Sequence, residues 1–204
     1  MCCLSSPPHP ARHRRGAHPS STADRPLHRR PPCLPLRAPR LLPPQSADYI
    51  DAPWSIGVER ANAAGKLLAE ALVEGAYGGR TRPVTLVGFS LGATVVHACL
   101  QALARAPGGR GQGIVNHAVL LGAAVSCSQS EWLRSRSVVS GRLVNGFSGG
   151  DMVLRFLGRV AVKVAGTQPV LGAAVENVDV GDLVGGHLKY PRSMGAIMRR
   201  LQLE

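Results

Sequence analysis

The sequence predicts an α/β fold with a mostly parallel sheet and flanking helices, and three observations carry this. Short apolar runs recur at Pro83–Val87, His117–Leu121, Arg142–Phe147 and Val175–Val180. Parallel strands are buried on both faces and therefore read as continuous apolar runs rather than as alternating ones. Between the runs, apolar residues return at three- and four-residue spacing, the signature of a helix. The two kinds of segment alternate along the chain, as βαβ units require.

The 204 residues suit one domain, and composition breaks near Gln45. Residues 1–45 hold 11 of the 16 Pro, 8 Arg, no Lys, no aromatic residue and one acid, Asp24. Runs such as Pro31-Pro32 and Pro43-Pro44 cannot continue a helix, and a segment this poor in apolar surface cannot offset its ordering entropy. Residues 1–45 are therefore read as a disordered basic tail, and 46–204 as the folded domain. Three roles stay open for the tail: a solvated extension, an Arg-rich targeting segment, or an arm for anionic lipid or nucleic acid. Cys2 and Cys3 after Met1 are a weak lipidation signal.

More than half of the formal charge of +12 comes from this tail, since residues 46–204 hold 16 basic against 11 acidic residues. Nucleic acid is accordingly not the expected partner of the folded part. Five Cys, an odd number, exclude a disulfide scaffold. No Cys/His cluster has zinc spacing, and no cofactor is implied. Residues 83–104 carry no charge, which invites a membrane span. Yet Pro83, Gly88, Ser90, Gly92, Thr94, His97 and Gln101 divide that stretch into a strand, a tight turn and a helix.

Taken in order, Tyr49–Trp54 reads as a loop entering a helix, with Ser55 as N-cap. Ala61, Ala64, Leu68 and Leu72 form the apolar stripe of that helix through Val73, with Glu59, Lys66 and Glu70 off it. Gly78-Gly79 breaks the chain before the first strand. A helix from Leu91 to Ala106 stops at Pro107-Gly108-Gly109. After the second strand, Trp132–Val139 reads as helical. After the third, a short helix is expected near Val153–Leu157 and an edge strand at Val160–Val164. A helix over Lys189–Leu203 closes the chain.

Gly88-Phe89-Ser90-Leu91-Gly92 fits the G-x-S-x-G nucleophile elbow. The pentapeptide alone is a modest signal, and its setting strengthens it: an apolar strand ends at Val87 and a helix begins at Leu91. So tight a turn pushes the Ser90 Oγ out above the sheet. Gly88 and Gly92 are expected because a Cβ at either would strike the neighbouring strand and helix. The Leu91 N–H points where an oxyanion would form, at the positive end of a helix.

A nucleophilic serine needs a base, and the base an orienting acid. His97 lies two turns into the elbow helix and His117 opens a strand at the wrong end of the sheet. His187 follows the last strand in Gly185-Gly186-His187, where the base belongs. Asp151 follows the third strand through Ser148-Gly149-Gly150 and is the chosen acid. Asp179, inside a strand, and Asp182, a turn residue, are its rivals. The order Ser90, Asp151, His187, each after a strand, is stronger evidence than the motif. Cys99 is expected in the core, Cys127 near the site mouth, and Trp54 and Trp132 as core or rim anchors.

Several stretches resemble one family. They are Thr85-Leu-Val-Gly-Phe-Ser-Leu-Gly-Ala93, Val119-Leu-Leu-Gly-Ala123, Ser140-Gly-Arg-Leu-Val-Asn145, Gln168-Pro-Val170, Val175-Glu-Asn-Val-Asp-Val180 and Gly186-His-Leu-Lys-Tyr190. The chain is identified over about residues 48–203 as similar to the domain of unknown function 726 family of α/β-hydrolase-like proteins. The resemblance implies a serine esterase or lipase whose Ser, Asp and His fall on Ser90, Asp151 and His187. It implies a lipid or small ester substrate, a membrane surface as partner, and an intracellular or peripheral membrane location. Met152 stands where the family usually has Trp. The resemblance also implies a partial α/β-hydrolase fold here, with N-terminal strands missing, among them the one whose loop supplies the second oxyanion donor. The competing reading is a non-catalytic interaction or membrane-trafficking module that keeps the hydrolase shell.

Overall fold

In a computed structural model of the chain, residues 48–75, 82–157 and 163–203 are described. All lie in the second of two compact units, Leu42–Glu204. The expectation of a disordered tail over 1–45 falls outside the described residues, as does most of the expected edge strand. Val164 forms an isolated antiparallel bridge with Ser126.

Four strands form one parallel sheet in the order β1 (Val84–Phe89), β2 (Val115–Leu121), β3 (Leu143–Phe147) and β4 (Glu176–Asp179). Helices α1 (Asp48–Val73), α2 (Leu91–Leu103), α3 (Gln129–Arg136), α4 (Met152–Leu157) and α5 (Tyr190–Leu201) surround it. The α/β class expected from the alternating runs is the one observed.

Side chains alternate across a strand, so β2 shows how the two faces are covered. Ala118 and Leu120 pack into a core built with α1 and α2, including Ala69, Leu72, Leu100 and Leu103. Val119 and Leu121 pack into a second core with Ile197 and Leu201 of α5. Leu120, Val119 and Leu100 are fully buried. Truncating any of these leucines to Ala would cost about 2–5 kcal/mol. A layer on each face is what an apolar parallel sheet requires.

Two expectations for α1 are corrected. The helix begins at Asp48, so Tyr49–Trp54 is helical and Ser55 lies inside it rather than capping it. Pro53 removes one backbone hydrogen bond without ending the helix. The buried stripe runs through Ala61, Gly65, Ala69 and Leu72, whereas Ala64 faces solvent. Gly65 takes the central place because a Cβ there would lie 2.5 Å from the Val95 carbonyl oxygen of α2. Glu59, Lys66 and Glu70 are exposed, as their places off the stripe require.

The uncharged stretch 83–104 is β1 plus α2, as read. Among the described residues no helix is long and apolar enough to cross a membrane. Cys99 is buried in the core and Cys127 half-buried, both as free thiols. Burial pushes the Cys99 thiol up to about 12, so it stays protonated. Trp132 is fully buried in the core, with its indole N–H donated to the Ser126 carbonyl at 2.8 Å.

Candidate active site

The C-terminal ends of β1, β3 and β4 deliver three side chains to one place. Ser90 sits between β1 and α2 with φ 55° and ψ −122°, a conformation that costs a non-glycine residue about 1–3 kcal/mol. Neighbours hold it there. Its N–H donates to the Leu121 carbonyl of β2 at 2.9 Å, and its own carbonyl accepts from Ala93 N–H at 3.0 Å. Leu91 opens α2, where first-turn N–H groups have no acceptor within the helix.

The two motif glycines differ. A Cβ on Gly88 would lie 2.4 Å from the Gly92 carbonyl oxygen, so only glycine fits. A Cβ on Gly92 would meet nothing within 4 Å, which corrects the expectation of a clash there. Gly92 lies in the first turn of α2, and the space beside it is open.

Asp151 is fully buried at the start of α4. One carboxylate oxygen accepts the Leu154 N–H at 3.0 Å, the geometry of a helix N-cap. The other lies 2.6 Å from Nδ1 of His187. His187 opens a 3-10 turn, His187–Lys189, after Gly186 at φ 136°, which favours glycine. Its Nε2 lies 2.7 Å from the Ser90 Oγ. With Nδ1 against a carboxylate, that nitrogen carries the proton and donates it, leaving Nε2 to accept from the Ser90 hydroxyl.

The structure thus brings Ser90, His187 and Asp151 into one hydrogen-bonded chain and leaves their rivals outside it. His97 lies in the interior of α2, buried beside Trp132 with ring centroids 5.6 Å apart. Burial, and then the charge of Arg105, lower its pKa to about 4. His117 lies in β2 and its Nδ1 accepts the Arg142 N–H at 2.9 Å. Asp179 ends β4 and accepts the Gly181 N–H. Asp182 pairs with Arg200 at 2.6 Å, an ion pair that holds its carboxyl below the usual range.

Sequence reasoning missed two residues here, Phe89 and Tyr190. The Phe89 ring lies 4.9 Å from the His187 ring and 4.8 Å from Tyr190, centroid to centroid. Together they wall the imidazole from water. Tyr190 is fully buried; burial, then the charges of Asp151 and Asp179, push its hydroxyl above its ordinary value. The available signal was spacing: Phe89 precedes the serine, and Tyr190 follows the histidine by three residues in a helical turn. Among the described residues no cluster of His, Cys, Asp or Glu is suited to a metal ion.

The family model described as "Protein of unknown function (DUF726)" matches residues 41–204. The chain belongs to the DUF726 family. Rice "Transmembrane and coiled-coil domain-containing protein STS1" is 43% identical over 161 residues, 78% of the chain and 24% of that protein. Fission yeast "Uncharacterized membrane protein C6F6.13c" is 39% identical over 160 residues, covering 76% and 20%. Budding yeast "Probable lipase MIL1" is 36% identical over 159 residues, covering 74% and 14%. This DUF726 chain therefore spans a quarter or less of the length of these relatives. No solved structure matches it.

Proposed function

We propose that this DUF726 domain is a serine hydrolase of the α/β-hydrolase type that cleaves carboxylic esters, including those of lipids. The observation that carries the reading is the hydrogen-bonded chain Ser90–His187–Asp151 on a strained strand-to-helix turn. The name of one relative, "Probable lipase MIL1", points the same way.

Ser90 Oγ attacks the ester carbonyl carbon while its proton passes to Nε2 of His187. Nδ1–H stays donated to Asp151, which stabilises the imidazolium without taking the proton. Negative charge on the former carbonyl oxygen faces the Leu91 N–H at the positive end of α2. Collapse breaks the ester C–O bond, and the Nε2 proton leaves with the alcohol. Water then repeats the sequence on the acyl-serine, releasing the acid and restoring Ser90. The strain at Ser90 supports this reading, because such conformations persist where the surroundings over-determine them, often at reactive sites.

Hydrolysis of a nitrophenyl ester by the purified chain tests the proposal. Turnover abolished by Ser90→Ala, with the fold intact, is expected. Turnover that survives the substitution, or a well-folded wild type that releases no nitrophenol from a series of acyl lengths, would overturn it.

A further inference from the structure

One side of the site's rim, along α4 and Leu188, is apolar. Met152 and Val153 directly follow Asp151, Leu188 directly follows His187, and all three are exposed, Met152 at 68% and Leu188 at 83%. Phe156, one turn further along α4, is half exposed. The Asp151–His187 hydrogen bond ties the two segments together, and α4 lies beside the His187–Lys189 turn. These exposed apolar side chains therefore gather on adjoining segments beside the site. A contiguous exposed apolar patch marks an interaction surface, whereas scattered single residues do not.

The charges beside α4 and Leu188 are mainly positive. Arg155, Lys189 and Arg192 are exposed. Within residues 149–157 and 183–193 the only acid is Asp151, which is buried and bonded to His187. Asp179 and Asp182 line a pocket beside the site with Gly149, Gly150, Gly185 and Gly186, and Asp182 is paired with Arg200. Apolar side chains flanked by a surplus of cations match a bilayer with anionic headgroups. The apolar groups enter the acyl boundary while the cations meet phosphate and carboxylate.

We propose that the rim formed by α4 and Leu188 docks on an anionic phospholipid bilayer. Docking there would set Ser90 at the level of lipid ester bonds; that consequence rests on the hydrolase reading, whereas the docking does not.

The test uses the full chain carrying Met152→Trp or Leu188→Trp, with the unsubstituted chain as background for Trp54 and Trp132. Vesicles of phosphatidylcholine and phosphatidylserine are compared with the same lipids brominated on the acyl chains. Quenching of both introduced tryptophans by brominated lipid is expected, and its loss when phosphatidylserine is omitted. Attachment through the Arg-rich segment 1–45 alone leaves them unquenched and overturns the proposal, as does a patch that seats a protein instead. Quenching undiminished without phosphatidylserine overturns the anionic requirement. As a second measurement, Met152→Ser/Leu188→Ser should weaken vesicle partitioning about tenfold or more, and unchanged partitioning contradicts the proposal. The quenching needs no turnover and is repeated in Ser90→Ala. Failure of the hydrolase reading therefore leaves it in place, while unquenched tryptophans beside a reactive Ser90 remove the docking surface alone.

Discussion

His97 and His187 are both buried, at 7% and 6% exposure, and their surroundings make them opposites. His97 lies against Trp132, and its Nε2 has no hydrogen-bond partner among the described residues. Burial and Arg105 keep it neutral down to a pH of about 4. His187 has a carboxylate on one ring nitrogen and a hydroxyl on the other. Burial alone makes a histidine inert. Burial with an acceptor on one nitrogen and a proton donor on the other makes it a device for moving protons.

The largest expected difference comes from removing each ring. His187→Ala should lower ester turnover by roughly 10^5-fold, as loss of one member of a cooperating unit does. His97→Leu should leave turnover within about twofold, because no part of the proton path touches it. Equal losses in both variants, measured on folded protein, would break the distinction. Asp151→Asn should cost about 10^4-fold by leaving the imidazole in the wrong tautomer. A circular dichroism spectrum matching that of the unsubstituted chain separates this from simple unfolding.

The scaffold under the site responds next. Gly88→Ala should destabilise by about 3 kcal/mol or more in urea unfolding, because the new Cβ meets backbone that cannot yield. His97 then gives a pH signature of its own. Its pKa is about 4 in the folded protein against 6.5 when free. Between those values the unfolded chain binds the extra proton, so stability is full above about pH 6.5 and falls as pH drops towards 4. The loss is on the order of 3 kcal/mol. His97→Leu should abolish that portion of the pH dependence and leave stability at pH 7 unchanged or higher, since it also removes an unsatisfied buried group. The smallest effect is expected for Gly92→Ala, within about 0.5 kcal/mol, because its Cβ enters open space.

Much of this was legible in the sequence, for physical reasons that differ by element. The apolar runs marked β2 and β3 because both of their faces are buried, whereas β1 and β4, the end strands among the described residues, keep exposed positions at Thr85, Val87, Glu176 and Asp179. Ser90, Asp151 and His187 were legible because each follows a strand, and such positions collect at one end of a parallel sheet. The start of α1 was misread because Pro53 suggests a boundary, yet one missing hydrogen bond does not outweigh packing along the rest of the helix. The stripe was misread at Ala64 because spacing cannot tell that a glycine, Gly65, marks the close crossing with α2. Phe89 and Tyr190 were missed because an aromatic beside a motif looks the same whether it fills a core or walls a site. The exposed Met152 and Leu188 were illegible for the same reason, since apolar identity alone does not say which side faces solvent.

The central claim is that Ser90 is a nucleophile activated by His187. A fluorophosphonate reacts with an activated serine without requiring knowledge of the natural substrate. The account predicts a single covalent adduct, located on Ser90 by mass spectrometry and lost in His187→Ala but retained in His97→Leu. A folded protein that forms no adduct, or one labelled equally with and without His187, would contradict it.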